Sequence, residues 1–345
     1  RIIQRRNEET PGRGCIDMMR NKPVIAVVGA GRMGIGIAQV FAYSGFRVRL
    51  LDARERSSQE TQRVLVSAGR QVRETLTMLA SIGVMEEVQV DTIMARIGYF
   101  GLEQMEEALK DAGVIFEAVP EVMEMKRDIF GLISSLTEEK ALIASTTSTF
   151  LSDSLAAFVT SPRRFMNTHW LNPAYLIPLV EVSPAEDTGV EEVAAMLSLL
   201  EAAGKVPVKC AASPGFIVPR IQALAMNEAA RLAEEGVASP EDIDKAARVG
   251  FGLRFAVLGL LEFIDWGGGD ILYYADNYLK DALKTDRYEP PEIIVSNMES
   301  GRTGLRAGKG FYDFTRLDVD SYRRETIKKF ADLLTHLGLL ARPPQ

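Results

Sequence analysis

VIAVVGAGRMGIGIAQVFAYSGFRVRLLD, residues 24–52, is the stretch that decides the fold. Its first five residues form a continuous apolar run, as in a strand buried on both faces. Glycines follow at 29, 31, 34 and 36, and IAQVFAYSG has helical spacing. Gly45 ends that helix, and FRVRLLD reads as a second strand closing on Asp52. Strand, glycine turn, helix and strand make half of a doubly wound sheet. GAGRMG at 29–34 has the GxGxxG spacing of a dinucleotide turn. Gly29 permits the tight turn, Gly31 lets backbone approach a pyrophosphate, and Gly34 lets helix and strand pack closely. The helix N-terminus then faces the phosphates. Arg32 and Met33, inside the turn, are counted with the cofactor contacts. Asp52 is placed to accept hydrogen bonds from the adenosine ribose and to repel the extra phosphate of NADP, so NAD is expected. Arg54 and Arg56 weigh the other way, since a nearby arginine can pair that phosphate. An ordinary glycine-rich turn and a flavin dinucleotide site are the competing readings.

Further along, segment 59–79 reads as a mostly exposed helix, and 85–98 is ambiguous. AGVIFEAV (112–119) is a strand followed by a helix near 122–136. ALIAS (141–145) is the next strand and runs into the hydroxyl cluster STTST (145–149). A short helix is expected over 151–158. RFMNTHW and LIPLVEV read as strands flanking a loop. Thr188 is positioned to cap the helix GVEEVAAMLSLLEAAG, which Gly204 stops. KVPVKC is the last strand. After AASPGFIVPR the chain is dominated by helical periods, with Ser239 as a cap and further helices over 269–282 and 290–299. The fold class expected is α/β: an N-terminal Rossmann-type doubly wound sheet over 21–212 with an all-helical C-terminal domain over 213–315. Residues 316–345 form a C-terminal helical extension. Its amphipathic stretch SYRRETIKKFADLLTHLGLL should dock on its own body or on a partner subunit.

The 345 residues are 47% hydrophobic and 25% charged, ordinary for a globular enzyme with room for two domains. A net charge of −7 disfavours a nucleic-acid surface. Two cysteines, Cys15 and Cys210, outside any CxxC pair, argue against a disulfide scaffold and a structural zinc. Two distant histidines argue against a histidine metal site, so no metal is expected. No apolar run reaches the roughly 18 residues of a spanning helix, so no membrane partner is expected. Residues 1–20 lack the apolar core of a secretory signal. They read as a flexible extension, or as an upstream start with Met18 or Met19 as the natural one. A cytoplasmic, reducing compartment is the default.

The chemistry narrows to a few side chains. Moving hydride from a secondary alcohol requires a base for the hydroxyl proton, and histidine suits neutral pH. His169 lies in NTHWLNPAYLIPLVEV (167–182), twelve residues before Glu181. A carboxylate there would orient the imidazole and stabilise the imidazolium. Spacing alone does not show that the two meet; His169 packed with Trp170, and Glu181 as a surface acid, is the plain alternative. Ser148 and its neighbours, at the end of a central strand, are placed to donate to a substrate oxygen or to cap the next helix. Glu117 and Glu121, in FEAVPE, either face the cofactor or sit on a solvated surface.

Taken together, VVGAGRMGIGIAQVFAYSGFRVRLLD, FEAVPE, STTST, HWLNPAYLIPLVEV, SPGFIVPR, GLLEFIDWGG and GLRAGKGFYDF resemble the L-3-hydroxyacyl-CoA dehydrogenase family. The resemblance covers roughly 22–314. It implies an NAD-dependent dehydrogenase of an L-3-hydroxyacyl-CoA, a role in fatty acid metabolism, a homodimer through the helical domain, and a His–Glu catalytic pair. The family's motif places that pair on His169 and Glu181, the substrate-contacting serine on Ser148, and the loop-shaping asparagine on Asn172. Pro219 stands where the family usually has asparagine, and Val122 where it commonly has asparagine after Glu121. The segment SSQETQRVLVSAGRQVRETL has arginines and acids in place of a lysine-rich helix, so a CoA phosphate site is not evident. The family also holds enzymes for free substrates such as L-gulonate, carnitine and a pyridine alcohol, which makes a free hydroxy acid or alcohol the alternative. A structural lens protein and a redox-sensing NAD module are the non-enzyme readings.

Overall fold

The computed structural model describes residues 22–341; the extension expected over 1–20 lies outside them. Apolar β1 (Val24–Val28) leads through the glycine turn into α1 (Arg32–Tyr43) and then β2 (Val48–Leu51). α2 (Ser58–Ser81) starts with a capping box between Ser57 and Glu60, and buries the stripe Leu65, Ala68, Val72, Leu76 and Leu79. The ambiguous stretch resolves into α3 (Gln89–Met94) and edge strand β3 (Ile97–Phe100). There follow α4 (Met105–Leu109), β4 (Ala112–Glu117), α5 (Met123–Leu136), β5 (Leu142–Ser145) and α6 (Ser152–Ala156). β6 (Phe165–Trp170), β7 (Leu179–Pro184), α7 (Val190–Ala202) and β8 (Val206–Lys209) complete the sheet region. Thr188 does not cap α7. Gly189 occupies the N-cap position, while the Thr188 hydroxyl donates to the Phe165 carbonyl (2.6 Å) and accepts from the Ala185 N–H (2.8 Å).

The sheet runs β3-β2-β1-β4-β5-β6-β7-β8. Six strands are mutually parallel, β7 is antiparallel to β6, and β8 is parallel to β7. The Rossmann-like domain is therefore a mixed sheet. One face carries a core with α1, α2 and α7; the other carries a core with α4, α5 and α6. Those helices come from both directions because β1 is the switch between strands that build outward to β3 and to β6.

The chain divides into two compact units at Leu224 and Ala225, within α8 (Val218–Glu234). The second unit is all helical: α9 (Pro240–Ala246), α10 (Leu253–Val257), α11 (Leu260–Gly267), α12 (Gly269–Leu283), α13 (Glu292–Glu299) and α14 (Val319–His336). Ser239 caps α9 by accepting from the Asp242 N–H. Its buried groups include the acids Asp265 and Glu262 beside Leu258, Ile294, Leu305 and Phe314. Asp265 accepts from the Phe311 and Tyr312 N–H groups (3.0 and 2.8 Å), which needs Gly310, since a Cβ there would lie 2.0 Å from the carboxylate. Tyr322 on α14 donates to Glu262 (2.8 Å) and meets the Trp266 ring edge-on, so the C-terminal extension docks on this unit. No described helix is long and apolar enough to cross a membrane.

Candidate active site

The antiparallel register of β6 and β7 places His169 directly opposite Glu181. Cross-strand partners hold their Cβ atoms about 5 Å apart, which suits an imidazole and a carboxylate. His169 Nδ1 lies 2.7 Å from Glu181 Oε2, and Nε2 lies 3.1 Å from Ser148 Oγ. Glu181 is fully buried and His169 is 4% exposed, whereas Ser148 is exposed. The imidazole thus turns its Nδ1 edge to the protein and its Nε2 edge to an open loop. The other Glu181 oxygen accepts from the backbone N–H groups of Ile217 and Val218 (2.9 and 2.8 Å), at the start of α8. These are donors that a helix start leaves without partners. Pro219, next in line, has no N–H to offer and fits the first turn.

His169 does not pack on Trp170. Successive strand residues point to opposite faces, and Trp170 enters the core against Phe41 and Phe116 while its Nε1 donates to Thr168 (3.2 Å). The ring on His169 belongs to Phe216, stacked at 5.2 Å and 17°. Phe216 has a φ of +48°, in the left-handed region that costs a bulky residue energy. Sequence reasoning missed this residue, and no periodicity marks it. Asn172 begins the exposed mouth of the loop after β6, before a cis bond to Pro173.

The hydroxyl segment after β5 is tied to the acids after β4. Glu117 is fully buried, not solvated: it accepts from Lys126 (2.9 Å), Ser145 (2.8 Å) and the Val119 N–H (2.8 Å). Burial pushes its carboxyl above the usual range, and the Lys126 ammonium opposes that rise. Glu121 accepts from the Thr147 hydroxyl and the Thr149 N–H, and lies 3.3 Å from Lys126. Lys126 was also missed. It occupies a buried stripe of α5 with Ile129, Phe130 and Ile133, and a lysine at such a position is a legible signal.

The glycine turn fits a dinucleotide. Gly29 has a φ of +126°, and a Cβ there would lie 2.4 Å from the Ala118 carbonyl oxygen. A Cβ on Gly34 would lie 1.8 Å from the Gly29 oxygen, whereas Gly31 faces open space. α1 has neither a side-chain cap nor an acid in its first turn, so its leading N–H groups remain free for a phosphate. Arg32 is exposed and Met33 half-buried beside them. Asp52 directly follows β2, but its carboxylate is already paired: Arg56 Nε lies 2.9 Å from one oxygen and the Arg54 N–H 3.4 Å from the other. Ribose hydroxyls must share or displace those partners.

Residues 24–213 match the model of the 3-hydroxyacyl-CoA dehydrogenase NAD binding domain, and 215–314 that of the 3-hydroxyacyl-CoA dehydrogenase C-terminal domain. A probable 3-hydroxyacyl-CoA dehydrogenase of Caenorhabditis elegans is 32% identical over 86% of this chain and 98% of its own length. A 5-formyl-3-hydroxy-2-methylpyridine 4-carboxylate 5-dehydrogenase of Mesorhizobium japonicum is 28% identical over 90% of this chain and 96% of its own. Among solved structures, a 3-hydroxyacyl-CoA dehydrogenase of Archaeoglobus fulgidus superimposes with a TM-score of 0.72, at 30% identity, covering 92% of this chain and all of that one.

Proposed function

This chain belongs to the 3-hydroxyacyl-CoA dehydrogenase family and is an NAD-dependent oxidoreductase, and from that premise we propose that it oxidises the C3 hydroxyl of an L-3-hydroxyacyl-CoA. The carrying observation is the placement of His169 between buried Glu181 and exposed Ser148. NAD supplies the hydride acceptor. His169 Nε2 takes the hydroxyl proton as hydride leaves the same carbon, and returns it in the reverse direction. Glu181 holds the Nδ1 proton, fixes the tautomer and offsets the imidazolium charge. Ser148 Oγ donates to the reacting oxygen. Phe216 keeps the ring from tilting, and Asn172 shapes the loop beside it. Gly29, Gly31, Arg32, Met33 and Gly34 receive the pyrophosphate, Asp52 the adenosine ribose, and Glu121 faces the cofactor from the hydroxyl segment.

One observation favours the second reading, a free hydroxy acid or alcohol. Two basic groups on α2 are answered by acids: Arg73 by Asp91 (2.7 Å) and Arg70 by Glu74 (3.7 Å). A CoA phosphate would have to compete with both. The pyridine-carboxylate dehydrogenase relative is of the same kind in name. Comparing NADH-dependent reduction of acetoacetyl-CoA and of free 3-oxo acids decides: turnover of the thioester alone supports the first reading, and turnover of the free acids alone replaces it.

We also propose a homodimer through the helical unit. Helices α8, α9, α10 and α12 bury no residue completely, and Met226, Ile271, Tyr274 and Tyr278 are all more than 60% exposed. Helices in water seldom leave such faces bare. A monomeric mass in sedimentation would reject this.

A further inference from the structure

Lys205 is the other buried lysine of the first unit, at 8% exposure, and the chemistry above makes no use of it. Lys126 answers two carboxylates, but no acid lies within ion-pair reach of Lys205 among the described residues. Its Nζ instead donates to two backbone carbonyls, Ala174 at 2.5 Å and Ile177 at 3.0 Å, and stands 5.8 Å from the centre of the Trp170 ring. Both carbonyls belong to the loop 171–178, which joins the strand of His169 to the strand of Glu181 and carries Asn172. The same loop also packs on the sheet domain's first helix. A Cβ on Gly36 would lie 3.1 Å from Ala174 Cβ, so the loop rests on α1, the helix opened by the nucleotide turn. Within the loop, the Pro173 carbonyl accepts from both Leu176 and Ile177.

An isolated buried ammonium is costly unless fixed dipoles replace water. Here the dipoles are loop carbonyls, so any relaxation of the loop strips the ammonium of its partners. The charge therefore biases the loop toward one conformation. We propose that Lys205 is a positioning residue: its ammonium pins the loop 171–178 against α1, and so fixes Asn172 and the reacting edge of His169 relative to the nucleotide turn. Burial also pushes the ammonium pKa down, in keeping with a cation that has no acid beside it.

The turnover part of the test rests on the dehydrogenase reading; the exchange part does not. Lys205→Met keeps the stem and removes the charge, and Lys205→Gln keeps an N–H-donating amide without the charge. Amide exchange across 171–178 should quicken about tenfold in Lys205→Met, the scale of one lost charge-assisted hydrogen bond. With acetoacetyl-CoA and NADH, kcat should fall about tenfold while the NADH Kd stays within about twofold. Lys205→Gln should recover part of both. Wild-type exchange in Lys205→Met overturns the proposal, as does a kcat loss that merely follows the unfolded fraction and is no smaller in Lys205→Gln. If Lys205→Met does not fold, Lys205→Gln decides: exchange quicker than wild type supports the clamp, and unchanged exchange rejects it. Should the wild type leave acetoacetyl-CoA unreduced, the substrate reading fails while the exchange result still judges the clamp.

Discussion

Glu117 and Glu181 are both fully buried carboxylates of the same sheet, yet they keep different company. Glu117 has a lysine, a serine and one backbone N–H around it. Glu181 has an imidazole on one oxygen and two backbone N–H groups on the other. Glu117 meets an ammonium shared with Glu121 and accepts from Ser145 at the end of β5, so it ties the hydroxyl segment to α5. Under the proposed mechanism the imidazole takes up and returns a proton, so the charge facing Glu181 would change during turnover. Burial alone does not tell the two carboxylates apart; the chemistry of their partners does.

Substitutions can break that contrast. Under the proposed mechanism the largest effect belongs to His169→Gln, which should lower turnover by about 10²–10⁴-fold with little change in NADH affinity. Steady-state rates and an NADH titration check it, and an unchanged rate would remove His169 from the chemistry. Glu181→Gln should cost on the order of 10²-fold or more in kcat while the chain stays folded, because the amide can still accept from Ile217 and Val218 but cannot offset imidazolium.

The reverse profile is expected at the other acid. Lys126→Met should destabilise the chain by about 3–5 kcal/mol, since it strands a buried carboxylate. Adding Glu117→Gln should restore most of that loss in urea unfolding, and strict additivity of the two would argue against the pair. The pH dependence has a definite sign. With its carboxyl raised, the folded chain binds more protons than the unfolded one between the two pKa values, so stability falls as pH rises through that window. Glu117→Gln should flatten that fall.

Asp52→Ala gives the smallest effect, about tenfold weaker NAD binding with a narrowed gap to NADP. Its Arg56 partner would then be free to meet a 2′-phosphate. Equal cofactor constants before and after would refute the assignment.

Much of this was legible beforehand. β1, the glycine turn and α1 follow from apolar runs and from glycines whose missing side chains the backbone needs. The meeting of His169 and Glu181 was not legible from a gap of twelve, because that gap acquires a geometry only once β7 is known to run antiparallel to β6. The α7 cap was misread because Thr188 had a stronger partner across the chain, the Phe165 carbonyl. Phe216 and the α8 N–H groups reach the site through a left-handed turn, and short-range patterns do not report such turns. Lys126 was readable and overlooked: a charged residue sat at a core position of its helix.

The pairing of β6 with β7 makes the site depend on parity. Sheet residues alternate between faces, so inserting or deleting one residue within β6 would exchange His169 with Trp170. The indole would turn toward the Ser148 side and the imidazole would be sealed in the core, with composition almost unchanged. Changes of length within 171–178 carry no such exchange of faces. The penalty for an insertion should therefore change in kind at Trp170, from loss of the imidazole from its place opposite Glu181 to loss of the loop carbonyls that Lys205 holds.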